Sequence, residues 1–101
     1  MPAQPAQQTG ADQAALPTTA GKVTVVNFAF GPTTANISAG QTVTWTNADS
    51  IPHTVTADDG SWDSGQLQPG ASYRRTFDQP GTFAYHCSMH PFMHGTVEVK
   101  G

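Results

Sequence analysis

From Lys22 to the C-terminus, apolar side chains recur at every second position in short runs, and nearly every run is closed by glycine or proline. A period of two places successive side chains on opposite faces of a strand, so each run can bury one face only. The runs are KVTVVNFAF, a short one around Ile37 within GPTTANISAG, QTVTWTN, HTVTA, SYRRTF, GTFAYHC and GTVEVK. Between HTVTA and SYRRTF lies DDGSWDSGQLQPG, a long segment whose glycines and proline mark a loop. No run carries a helical period. About seven or eight short strands separated by turns predict an all-β fold, an antiparallel Greek-key β-sandwich or barrel. Val43 and Trp45 are expected inward with threonines outward. Phe83, Tyr85 and Cys87 are expected on one face, Val97 and Val99 on another. The alternation slips by one between Val25 and Val26, which predicts a bulge or a change of sheet there.

Residues 1–21 have a different texture, rich in Ala, Gln, Pro and Thr, with a single charge and no aromatic side chain. Such a stretch cannot bury a face and is expected to form a flexible tether, suited to holding a domain at a membrane or to another module. Residues 22–101 are expected to form one domain, since a chain of 101 residues has room for one core. Lys and Arg number 4 against 7 Asp and Glu, a net charge of −3, with no basic stripe to neutralise phosphates, so nucleic acid is excluded as a partner. No stretch approaches the roughly 20 apolar residues of a membrane span, and no signal-peptide pattern opens the sequence.

The single cysteine cannot form an intrachain disulfide, so Cys87 is a buried small side chain, a reactive thiol or a metal ligand. Its neighbours favour the last. Cys87, His90 and Met93 follow one another at intervals of three beyond a strand ending in Cys87, and His53 opens a different strand after Pro52. A thiolate, two imidazoles and a thioether make a soft ligand set of low charge that suits copper in both oxidation states. Zinc fits less well, because a thioether is a poor fourth ligand for it. Alternation points His86 away from Cys87, and His94 is expected as an exposed histidine.

At these residues the chain resembles the cupredoxin family of type 1 blue-copper proteins, most closely its amicyanin-like members and then pseudoazurins and plastocyanins. The resemblance rests on the C-x-x-H-P-x-M run from Cys87 to Met93, on Asn47 ahead of the pair Pro52-His53, on Leu67 to Gly70, and on the closing Gly95 to Val99. It implies one copper per chain, held by His53, Cys87, His90 and Met93, with Met93 as a weak axial ligand. It further implies that Asn47 ties the two ligand loops together and that the Thr54 N–H reaches the Cys87 sulfur. Two positions depart from the family pattern: Met89 stands where proline is usual, and Thr54 where asparagine is common. Neither removes a ligand. Met89 does supply a backbone N–H that proline lacks.

The function implied is soluble one-electron transfer between redox partner proteins, by a monomer, in a periplasm or another extracytoplasmic compartment. Electrons would pass by the edge of His90, inside an apolar rim of Pro52, Met89, Pro91 and Phe92. An enzyme is not expected, since His86 and His94 alone are too few for a second, open copper centre. A periplasmic copper-binding or delivery protein is the alternative. Asp49, Asp58, Asp59 and Asp63 place four of the seven acids in one stretch, where they are ordinary solvated loop charges or a means of steering a basic partner.

Overall fold

The alternating runs pair into two four-stranded sheets, described in a computed structural model over residues 19–101. In chain order the strands are β1 (Thr19–Val26), β2 (Ala29–Gly31), β3 (Thr34–Ser38), β4 (Gln41–Asn47), β5 (Thr56–Ala57), β6 (Ser72–Phe77), β7 (Gly81–Cys87) and β8 (His90–Lys100). One sheet has the order β2-β1-β4-β6 and the other β3-β8-β7-β5. Among the described residues there is no helix. The all-β sandwich is as expected, but it is not purely antiparallel: β1 runs parallel to β4, and β3 parallel to β8. A parallel neighbour requires a crossover between sheets, and alternation within one strand carries no trace of that.

β1 begins at Thr19, three residues before the expected domain boundary, and Gly21 packs opposite Val43. The rest of the expected tether, 1–18, lies outside the described residues. At Val25 and Val26 there is neither bulge nor change of sheet. The chain turns back immediately after Val26 through Asn27 and Phe28, with φ of 54° and 58°, and pairs Val25 with Phe30 and Val26 with Ala29. Positive φ at both central positions is the mark of a tight hairpin whose twist matches the strands. Asparagine adopts that conformation readily, whereas a bulky Phe does so at a cost in strain. Val23, Val25 and Phe30 therefore face the core, while Val26 and Phe28 face solvent.

The core fills with aromatic side chains. Trp45 is wholly buried, with ring centroids of Tyr85, Tyr73 and Trp62 at 5.4, 5.6 and 5.8 Å, and Phe30 lies edge-on to Tyr85 at 4.8 Å. Burying each such side chain contributes about 1.5–3 kcal/mol. Burial also pushes the Tyr85 hydroxyl up to about 12, so the ring stays neutral. Tyr85, Val97 and Val99 belong to this one core: Phe83 pairs across the ladder with Val97, so the two sets expected on different faces share one.

Tyr85 stands directly opposite Gly95 in the β7–β8 ladder, and its ring lies over the glycine so closely that a Cβ there would overlap it. Gly95→Ala is expected to destabilise the fold by about 1–3 kcal/mol through overpacking. Denaturant unfolding checks this, and an unchanged midpoint would mean that the ring moves aside freely.

Candidate metal centre

Two turns of chain bring the expected ligands together at one end of the sandwich. β7 ends at Cys87 and β8 starts at His90, so only Ser88 and Met89 form the turn between them, tighter than the loop foreseen. Cys87 follows Tyr85 by alternation and points inward, where it is fully buried, while the register shift between His86 and Cys87 leaves the extra residues on β8. His53 enters from the segment before β5 and is pinned to Leu67 in both directions: its N–H donates to the Leu67 carbonyl at 3.1 Å, and the Leu67 N–H donates back at 2.7 Å. Met93 lies three residues into β8 and is buried beneath the turn.

Three donor atoms converge. His53 Nδ1 lies 3.7 Å and His90 Nδ1 3.6 Å from Cys87 Sγ, and all three atoms lie within 4.8 Å of one another. A metal held at ~2.3 Å from a thiolate and ~2.0 Å from an imidazole, with trigonal angles, requires nitrogen and sulfur about 3.7 Å apart. The donor set therefore fits an ion of that kind without rearrangement. The other imidazole nitrogen of His53, Nε2, is hydrogen-bonded to Asp49 Oδ2 at 2.8 Å, which fixes the ring with Nδ1 facing the Cys87 sulfur. The Phe28 N–H also donates to that carboxylate, at 3.2 Å. The His53 hydrogen bond first, and the backbone one after it, hold the Asp49 carboxyl below its usual range.

The link between the ligand segments is Thr54. Its N–H donates to Cys87 Sγ at 3.4 Å, its hydroxyl donates to Ser88 Oγ at 3.1 Å, and the same hydroxyl accepts the Ser88 N–H at 2.8 Å. Asn47 has a different task from the one its resemblance implied. Its Nδ2 donates to the carbonyls of Ile51 and Leu67 at 2.9 and 2.8 Å, and its Oδ1 accepts the Asp49 N–H at 2.9 Å. It braces the His53 segment against the loop before β6 and makes no hydrogen bond to the Cys87 turn.

Burial pushes the Cys87 thiol up, but the N–H of Thr54, the imidazoles of His53 and His90 and the N–H of Met89 together outweigh it, and the thiol comes down to about 6. The Met89 N–H, which a proline would lack, is the smallest of these contributions, and the backbone hydrogen bond to Sγ is that of Thr54 at 3.4 Å.

His90 is only half-buried, and apolar side chains surround it. Phe92 is 68% exposed, Met89 39%, and Pro91 is exposed, while Pro52 is half-buried. Sequence reasoning missed Phe28, 43% exposed, whose ring lies edge-on 5.1 Å from His90 and 5.7 Å from His53. It also missed Asp49 as the partner of His53. Alternation had placed Phe28 with Phe30, and only the Asn27 turn signal could have corrected it. His86 and His94 lie outside the cluster, as expected.

The model of the cupredoxin-like domain matches residues 3–99. Amicyanin-alpha of Methylorubrum extorquens is 34% identical over 84 residues, 78% of this chain and 71% of its own length. Plastocyanin of Scenedesmus fuscus is 36% identical over 84 residues, 70% of this chain and 86% of its own length. In two further amicyanins the matched stretch is about half of their own length. A solved structure of an oxidised amicyanin variant superposes with a TM-score of 0.76 at 30% identity, covering 80% of this chain and 82% of that one.

In the metal-free protein, the thiolate absorbance of Cys87 is expected to titrate with a midpoint near 6, against about 8.5 for an ordinary thiol. Because the folded value lies below the unfolded one, this group stabilises the fold fully above the unfolded value. That contribution is lost as pH falls through 6. A midpoint of about 8 would mean that the N–H donors do not reach the sulfur.

Proposed function

The chain belongs to the cupredoxin-like family, and from that premise we propose that it is a one-electron carrier whose single copper is held by His53, Cys87, His90 and Met93. The observation that supports this most is the spacing of the three donor atoms, 3.6 and 3.7 Å between sulfur and nitrogens and all within 4.8 Å of one another, with His53 and Cys87 buried and His90 partly so. When bound, copper supplies the Cu(II)/Cu(I) couple. The residues do the rest. Asp49 orients His53, Thr54 holds the Cys87 segment against the His53 segment, and buried Met93 would supply a thioether as the fourth ligand. Ligands so fixed cannot relax far when the charge of the centre changes, which keeps the reorganisation barrier of electron transfer small.

His90 provides the way in and out, because of the two ligand imidazoles its ring is the one that reaches the surface. Redox partner proteins are the partners, and the docking face is the apolar rim of Pro52, Met89, Pro91 and Phe92, to which Phe28 adds. Exposed apolar area of this kind, bordered by polar surface, suits brief encounters between proteins. We place the carrier in a periplasm, as a monomer, with the Ala/Gln/Pro/Thr-rich segment before the domain as its tether. Transfer of electrons rather than delivery of copper is favoured by the complete burial of His53 and Cys87, which an exchanging partner could not reach directly.

Addition of Cu(II) is expected to give an intense blue, or at least strongly coloured, thiolate charge-transfer band that Cys87→Ala abolishes in a still folded protein. A Cys87→Ala protein that keeps the band would overturn the ligand assignment. A Met89 N–H acting on the sulfur would withdraw electron density from it and so disfavour Cu(II). Met89→Pro should therefore lower the reduction potential by tens of millivolts, on the order of 1 kcal/mol for one electron, with the colour kept. If the potential holds while partner kinetics change, Met89 acts through the rim alone.

A further inference from the structure

On the outer face of the β3-β8-β7-β5 sheet, two histidines outside the copper ligand set stand side by side. Tyr85 and Cys87 point into the core, so His86 between them points out; Met93 and Gly95 point in, so His94 between them points out. The two are direct cross-strand partners in the β7–β8 ladder. Side chains so paired start from Cβ atoms about 4.5–5.5 Å apart, near enough for both imidazoles to reach one ion at ~2.0–2.1 Å from each nitrogen.

A third group prepares the pair. His86 Nδ1 lies 2.7 Å from Asp58 Oδ1, and Asp58 is itself fastened to β7 by its N–H donating to the Ala84 carbonyl at 3.0 Å. A carboxylate accepts, so Nδ1 carries the proton and Nε2 presents its lone pair outward. This is the arrangement by which carboxylates orient metal-binding histidines. His94 is exposed and free to turn toward it. As a surface ion pair alone, His86–Asp58 would contribute little, so stability gives no strong reason for the triad.

We propose that His86 and His94, with Asp58 as the residue that orients His86, form a second metal site for a divalent transition cation, distinct from the centre built on Cys87. Two neutral imidazoles beside a carboxylate favour Cu(II), Ni(II) and Zn(II), with Cu(II) strongest by the ordinary order of affinities. The site is open on the solvent side, so such an ion would exchange freely, unlike one held by Cys87.

Ni(II) is the suitable probe, with the protein first loaded with one equivalent of copper and reduced to diamagnetic Cu(I). Calorimetry should find one further ion per chain, and Ni(II) should broaden the imidazole proton resonances of His86 and His94 before others. His94→Gln should weaken binding at least as strongly as Asp58→Asn, for which about a 10–100-fold loss is expected. The copper band on reoxidation should be unchanged in both variants, which separates failure of this site from failure of the copper centre. Absence of saturable Ni(II) binding, or binding that survives His94→Gln, would overturn the proposal.

Discussion

The hydrogen bonds of Thr54 complete, at the ligands themselves, a join between two pieces of chain that the β5–β7 pairing begins. His53 arrives from the segment before β5, and Cys87 and His90 from the tip of the β7–β8 hairpin. One residue supplies an N–H to the Cys87 sulfur and a hydroxyl to both the backbone and the side chain of Ser88. Each such bond contributes about 0.5–1.5 kcal/mol net, a modest amount. Their larger effect is geometric: the distance from sulfur to His53 Nδ1 is set by neighbours of the ligands and is not left to an arriving ion.

That arrangement also resolves an electrostatic conflict. A thiolate in an apolar core is costly, and burial alone would keep Cys87 protonated. Directed N–H groups and two imidazoles reverse the balance within one cramped pocket. Asp49 plays the complementary part on the far side of His53, anchoring the ring through Nε2 so that Nδ1 faces the sulfur. The Phe28 N–H closes the chain of dependence, because a hairpin turn two strands away holds the Asp49 carboxylate in place. Strain at Phe28 is thus tied to the position of a ligand and to the apolar surface around His90.

Much of this was legible in the sequence because it is local. Alternation gave the strands, and the intervals from Cys87 to Met93 gave the ligands of one hairpin. What escaped depends on pairing between distant segments. The parallel pairings of β1 with β4 and β3 with β8 leave no mark on alternation within a strand. The slip at Val25 and Val26 was read correctly as a break in pattern but not as a tight turn, since a Phe at positive φ runs against preference. Asn47 was identified as a brace, yet the partner it braces is the loop at Leu67 and Gly70, a pairing that only the folded chain reveals. Phe83 and Val97 were separated for the same reason: a face is shared only once the register of two strands is known.

The close approach of Tyr85 to Gly95 bears on how such a chain can vary over evolutionary time. Two positions ten apart in the sequence act as a single locus. A larger residue at 95 is admissible only with a smaller one at 85, and a smaller ring at 85 opens the core beside Trp45, so neither single step is neutral. Lineages descending from this sequence should therefore inherit the pair together or exchange it through a compensated double change. Each member lies two residues from a proposed ligand, Tyr85 from Cys87 and Gly95 from Met93. Drift in the hairpin that carries the metal site is thereby channelled into its turn and its outward-facing positions.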